Sequence, residues 1–354
     1  MPAIEILDDR ATVERLDPQG LLAQIEGLPE QCEEGWRRAA ALELPETHLA
    51  TSGVILLGMG GSAIAGDILR HLSARTGSKP ARVVRGYDLP NAVGGNTLVV
   101  ACSHSGNTEE TLSAFRQAVD KGAKTYAVCT GGNLKQLADD AGAPSFIYEF
   151  DGQPRSAIGH QLMALLALGE RAGLVTSQKA AVAETVGLTK QQRSGLGFDV
   201  PFDKNPAKQL ASRLHGKLPV IIGAGVLEPA VYRWKTQINE NADSWAIHEA
   251  LPELDHNSIV GFGLPDVSRL HAVFVRHASL HPRLLLRYEA TAEALDDAGV
   301  SHETVDASGV SDLAQTMTAV YLGDFTSYYL GLLNGVNPSA VAPIDRLKAR
   351  LAGG

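Results

Sequence analysis

The sequence predicts an α/β protein of two domains, each built on a mainly parallel sheet. Short apolar runs of strand length alternate with segments of helical period along most of the 354 residues. That alternation starts afresh beyond a polar, Gly-containing connector near residue 195. A chain of this length also exceeds what one hydrophobic core usually organises, so residues 1–194 and 195–354 are expected to form separate domains.

Taken in order, residues 1–50 carry Leu and Ile at helical spacing and are expected to wrap the first domain. Strand-length runs follow at Val54–Leu57, Arg82–Arg85, Leu98–Cys102, Thr125–Val128 and Ser145–Tyr148. Helical segments fall at Ser62–Ser73, Glu109–Lys121 and Asn133–Asp140. The Leu- and Ala-rich stretch Ser156–Ala172 reads as a buried helix closing the domain. Ser177–Phe198 (SQKAAVAETVGLTKQQRSGLGF) reads as a helix running into the connector. In the second half, strands are expected near Pro219–Ile222, Ser258–Gly261, Ala272–Val275 and Glu303–Val305. Helices are expected near Asn205–His215, Pro229–Glu240, Pro282–Asp296, Asp312–Leu333 and Pro343–Ala352. The halves share this layout without a readable sequence repeat.

Composition narrows the function. The chain is 44% hydrophobic and 20% charged, with aromatics at only 5%, the profile of an ordinary globular protein. A net charge of -9 argues against nucleic acid and anionic membranes as partners. An anionic ligand would need a local site of backbone amides, hydroxyls and a few cations. Cys32, Cys102 and Cys129 form no spaced cluster, which fits a reducing compartment. The first residues (MPAIEILDDR) have no basic segment leading into an apolar one, and no apolar run reaches membrane-spanning length, so a cytoplasmic location is expected.

Two loops carry the chemistry. In ACSHSGNTEET (Ala101–Thr111) a strand ends in small polar residues just where a helix begins. Parallel sheets bind ligands beyond the carboxyl ends of their strands, and a helix start presents free N–H groups and a positive dipole end. Ser103, Ser105 and Thr108 would add hydroxyl donors for a phosphate, with Gly106 allowing close backbone approach. The bland alternative is a capped helix with Thr108 at its N-cap. VILLGMGGSAIAGD (Val54–Asp67) repeats the strand, glycine turn, serine and helix, and adds Gly61 and Ser62 to the phosphate set. It lacks the third glycine of a dinucleotide fingerprint, so no such cofactor is expected.

GMGGSAIAGD together with SHSGNTEET resembles the sugar isomerase (SIS) domain. QPRSAIGH (Gln153–His160), INENAD (Ile238–Asp243), LPELDHNSIVG (Leu251–Gly261) and PIDRLKARL (Pro343–Leu351) extend the resemblance over nearly the whole chain, to the bifunctional phosphoglucose/phosphomannose isomerase family. The resemblance implies two SIS-type three-layer α/β/α domains and a metal-free, cofactor-free aldose–ketose isomerase acting on hexose 6-phosphates through a cis-enediol(ate). It implies Glu240 as the base that moves the proton and Arg155 as the cation at the enediolate. It also implies His256 and Lys348 in ring opening, with His256 contributed across the interface of a homodimer.

Two positions depart from the family pattern. His104 stands between the two serines where an aromatic residue, commonly Tyr, is expected; its ring either turns toward the phosphate as a pH-sensitive cation or packs into the fold. Ser339 stands where Thr is frequent, which bears on the choice between epimers. IHEALPELDH (Ile247–His256) offers His248, Glu249, Glu253 and His256, but it is not H-E-x-x-H and Pro252 interrupts it, so no metal site is expected. The alternative function is a sugar-phosphate-binding SIS protein without turnover; residues 1–50 lack the basic helical unit that SIS sensors usually carry.

Overall fold

A computed structural model describes residues 3–263 and 266–352. The first half holds β1 (Gly53–Leu57), β2 (Ala81–Val84), β3 (Thr97–Ser103), β4 (Lys124–Cys129) and β5 (Ser145–Ile147). They form a parallel sheet in the order β2-β1-β3-β4-β5. The second half holds β6 (Leu218–Ala224), β7 (Ile247–Leu251), β8 (Leu270–Arg276) and β9 (Ser301–Asp306). Their order is β7-β6-β8-β9, again parallel. The central strands are apolar on both faces because helices cover both; Leu98, Val99, Val100 and Ala101 of β3 are all fully buried.

Helices α1 (Arg10–Leu16), α2 (Leu21–Glu26), α3 (Leu28–Ala40) and α4 (Glu46–Leu49) precede the first sheet. Helices α5 (Gly60–Thr76), α6 (Glu109–Asp120), α7 (Gly132–Asp140), α8 (Ile158–Arg171) and α9 (Lys179–Leu196) complete that half. The second half contains α10 (Pro206–Leu214), α11 (Glu228–Ala242), α12 (Pro282–Asp297), α13 (Asp312–Leu333) and α14 (Ala342–Ala352). Ser311 starts α13 by accepting a hydrogen bond from the Ala314 amide. This helix is buried on almost every side, packed against α11, α10 and α9. Its contact with α11 is close because two glycines open the way. A Cβ at Gly323 would lie 2.2 Å from Trp234 Nε1, and one at Gly331 would lie 2.1 Å from the Asn241 carbonyl oxygen.

Three expectations need correction. Ser258–Gly261 is a 3₁₀ turn, not a strand; Val260 is 86% exposed there, with no neighbouring strand to pair. The edge strand is β7, whose His248 and Glu249 hide it from apolar patterning; pairing with β6 determines its conformation. The connector continues as α9 to Leu196, so the helix fills most of Ser177–Phe198. The N-terminal segment, expected to wrap the first domain, spans both halves. Helix α3 packs on α8, whereas earlier residues seat on α13: Tyr328 Oη donates to Asp17 Oδ2 (3.1 Å) and Tyr321 Oη to the Glu26 carbonyl (3.1 Å). Buried Lys208 donates to Asp8 Oδ1 (2.7 Å) and to the carbonyls of Phe198 and Val200.

Gly323→Ala should destabilise the protein by about 1–3 kcal/mol or more, since a methyl group has no room beside Trp234. Gly187→Ala, on an open stretch of α9, should stabilise it by roughly 0.4–1 kcal/mol. Urea unfolding of the two variants checks both signs.

Candidate active site

Strand order reverses between β1 and β3, and the loops that follow these two strands flank that switch point. After β3, Ser103 is buried and its Oγ lies 2.8 Å from Thr108 Oγ1, while Ser105 is exposed and accepts from the Asn107 amide at 3.2 Å. Thr108 occupies the N-cap position of α6, yet its side chain makes no capping bond. The loop is held from behind. Asn107 Oδ1 accepts from the Asn133 amide (3.0 Å), the Gly106 carbonyl from the Leu134 amide (2.9 Å) and the His104 carbonyl from Thr130 Oγ1 (2.7 Å). Gly106 has φ +68, and a Cβ there would stand 1.9 Å from the Gly131 oxygen, so only glycine fits.

After β1, the turn Gly58–Gly61 leads into α5, which likewise has no side-chain cap. A Cβ on Gly58 would lie 3.1 Å from the Cys102 carbonyl, which shows how tightly the two loops abut. Ser62 is buried, and burial pushes the pKa of Cys102 up to about 12; the cysteine is inert packing.

Also in the first half, Arg155 sits on the 3₁₀ turn Pro154–Ala157 and is only 4% exposed. Its Nε donates to Asn241 Oδ1 (2.7 Å), Nη2 to the Pro338 carbonyl (2.7 Å) and Nη1 to Gln153 Oε1 (3.1 Å). Nη1 also lies 3.5 Å from Glu240 Oε2, in the last turn of α11. Burial lowers the Arg155 pKa, opposed by Glu240 and reinforced by Arg233. The glycine turn is adjacent: a Cβ on Gly61 would lie 3.4 Å from Arg155 Cα. The glycine turn of the first half and a carboxylate from the second thus meet at Arg155.

The structure does not bring every expected residue to this point. His256 is exposed on the 3₁₀ turn Glu253–His256, not just before a strand, and Lys348 is exposed on α14; among the described residues no hydrogen bond or ion pair ties either to Glu240. Ser339 is buried beside the Pro338 carbonyl that holds Arg155, and its Oγ has no hydrogen-bond partner among the described residues. His104 packs inward, Nδ1 3.1 Å from Tyr148 Oη, with Phe150 across its ring edge. Gln161 donates to the same phenol oxygen, leaving the phenol proton for Nδ1 of a neutral ring. Burial lowers the His104 pKa, so it is no second cation at the loop.

The metal-like cluster has other duties. His248 packs at a tilt against Tyr232 with ring centroids 4.7 Å apart, and Glu249 accepts from Ser258 Oγ. A cleft of about 390 Å³ between α5 and α11 excludes both Glu240 and the serine loop, and its Arg85 and His71 are paired with Asp67 and Glu228. Sequence reading missed Arg233, Gln237 and Asn241, buried polar residues spaced by four along α11. That spacing on a helix with an apolar face was the available signal.

Residues 51–169 match the SIS domain, and residues 203–351 match the bacterial phospho-glucose isomerase C-terminal SIS domain. A bifunctional phosphoglucose/phosphomannose isomerase of Caldicellulosiruptor bescii is 36% identical over 94% of this chain and 99% of that protein. The chain belongs to the bifunctional phosphoglucose/phosphomannose isomerase family. A second such protein, from Thermoplasma acidophilum, is 33% identical over 85% of this chain and 90% of its own length. The fold is also that of a hypothetical protein of Thermus thermophilus, at TM-score 0.76 and 19% identity, covering 99% of this chain and 94% of that one. The C-terminal domain of a Francisella tularensis glucosamine-fructose-6-phosphate aminotransferase follows at TM-score 0.71 and 16% identity, covering 91% and 98%.

Burial lowers the pKa of both His104 and His160 behind the family's serine loop. The unfolded chain takes up these protons near the ordinary value of about 6.5, and the folded chain only at lower pH, so stability is lost as pH falls below that value. Urea midpoints should drop between about pH 7 and about pH 5, and His104→Gln should show a smaller drop.

Proposed function

We propose that this chain is an aldose–ketose isomerase that interconverts glucose 6-phosphate, and mannose 6-phosphate, with fructose 6-phosphate without a metal or redox cofactor. The observation that carries the reading is the Arg155–Glu240 pair set against the glycine turn, in a chain of this family. The phosphate is assigned to Ser103, Ser105 and Thr108, with Gly61 and Ser62 across the switch point, where the α5 and α6 starts lack side-chain caps. Glu240 is assigned as the base. One oxygen faces Arg155, and the carboxylate keeps 29% exposure, so it remains reachable by substrate. It takes the proton from C2, giving a cis-enediol(ate), and returns it to C1. Both C2 epimers lose their distinction in that intermediate, which lets one base serve both. Arg155, buried and orientated by three acceptors, offsets the developing negative charge.

Ring opening is assigned to Lys348 and to His256 of a second copy. Support comes from exposed apolar residues: Trp245 is 84% exposed, Val260, four residues after His256, 86%, and Leu347 and Leu351, on α14 with Lys348, 57% each. A homodimer that buries this surface would bring the exposed His256 and Lys348 into enclosed sites. No helix among the described residues is long and apolar enough to cross a membrane, and a cytoplasmic site of action fits the reading.

Protein treated with EDTA should convert glucose 6-phosphate to fructose 6-phosphate in a coupled assay. Glu240→Gln should lose roughly 10²- to 10⁴-fold in kcat while still binding the substrate; full activity in that variant would remove Glu240 from its role. Mixing inactive Glu240→Gln with inactive His256→Ala should restore up to about a quarter of wild-type activity, because mixed dimers contain one intact shared site. No recovery on mixing would place His256 within its own subunit's site or outside catalysis.

A further inference from the structure

Arg233 lies on α11 two turns before Glu240 and is 1% exposed. Its Nε donates to Asp324 Oδ1 at 2.9 Å, and Nη2 donates to Asp324 Oδ2 at 2.8 Å. Nη2 also donates to the main-chain carbonyl of Arg155 at 2.9 Å. Nη1 is buried with no hydrogen-bond partner among the described residues. It faces the glycine turn, 3.9 Å from where a Cβ on Gly61 would sit. A buried ion pair is poor value as mere helix glue, because apolar residues of similar volume join two helices as well or better. An unmade hydrogen bond on a buried guanidinium adds to that cost.

What an apolar pair could not do is hold the Arg155 main chain by a directed bond. We propose that Arg233 is a positioning residue for the isomerase reaction, locked by Asp324 and clamping Arg155 and the Gly61 turn at a set distance from Glu240. The pair is neutral as a unit, so Asp324 cancels the charge of Arg233 and leaves Arg155 as the cation facing Glu240. The lock reaches further along the same face. Asn241, which accepts from Arg155 Nε, donates to Ser327 Oγ at 2.9 Å. One face of α11 therefore carries the brace, the Arg155 anchor and the base. This inference rests on the roles proposed above for Arg155 and Glu240.

The test compares wild type with the double variant Arg233→Met/Asp324→Leu, which removes both charges together, and with Arg233→Lys, which keeps the charge balance but loses the planar fork. Each is measured for urea midpoint, for kcat and KM with glucose 6-phosphate, and for binding of glucitol 6-phosphate, which cannot isomerise. The expected result is a folded protein with kcat reduced about 100-fold, and KM and glucitol 6-phosphate affinity within about threefold of wild type. Arg233→Lys should show the same split, and it carries the test alone if the double variant does not fold. Retention of kcat within about threefold in a folded variant overturns the proposal, as does a raised KM at unchanged kcat. Glu240→Gln is run alongside. Its inactivity with a fully active Arg233 variant defeats only the positioning role, whereas its full activity defeats the underlying reading of the site.

Discussion

The structure turns on one buried guanidinium. Arg155 comes from the first half of the chain, yet two of its three hydrogen-bond acceptors, Asn241 and the Pro338 carbonyl, belong to the second. A charge this deeply buried is tolerated only when its donors are satisfied and an opposite charge is near. Glu240 supplies that charge at 3.5 Å. The demand for satisfaction thus ties the two halves together at the same place where a carboxylate and a cation meet.

Around that point, small residues set the distances. Gly323 and Gly331 let α11 approach α13 closely enough for Asn241 to meet Ser327 and for Arg233 to meet Asp324. Gly61 lets the turn after β1 approach the Arg155 main chain, and Gly106 lets the serine loop nest on Gly131. These glycines set spacing. They remove volume where a side chain would push the loops and the base apart.

Electrostatics follows local rather than global charge. A protein with net charge -9 is a poor target for anions overall, but two helix starts without side-chain caps follow the adjacent strands β1 and β3. At the corresponding point of the second sheet, Leu280 packs against Gly225 and His277 is bonded to the Gly309 carbonyl. Near-identical sheet orders therefore present different loops, and the second half adds Glu240 on α11.

Sequence by itself determined the layered α/β architecture, the strands of the first sheet to within a residue or two, and the long helix Asp312–Leu333, because hydrophobic period and glycine turns are local signals. It also singled out Ser103 and Thr108 from the strand–loop–helix pattern, and Arg155 and Glu240 through motif resemblance, as candidates. It did not find β7, whose polar edge residues carry no strand pattern, and it mistook Ser258–Gly261 for a strand because apolar β-branched residues suggest pairing even where no partner lies alongside. The inward turn of His104, the Arg233–Asp324 brace and the bridging path of residues 3–26 were decided only by tertiary structure. Each depends on a partner far away in sequence. A side chain's identity is local, whereas the acceptor it must reach once buried is supplied by the rest of the fold.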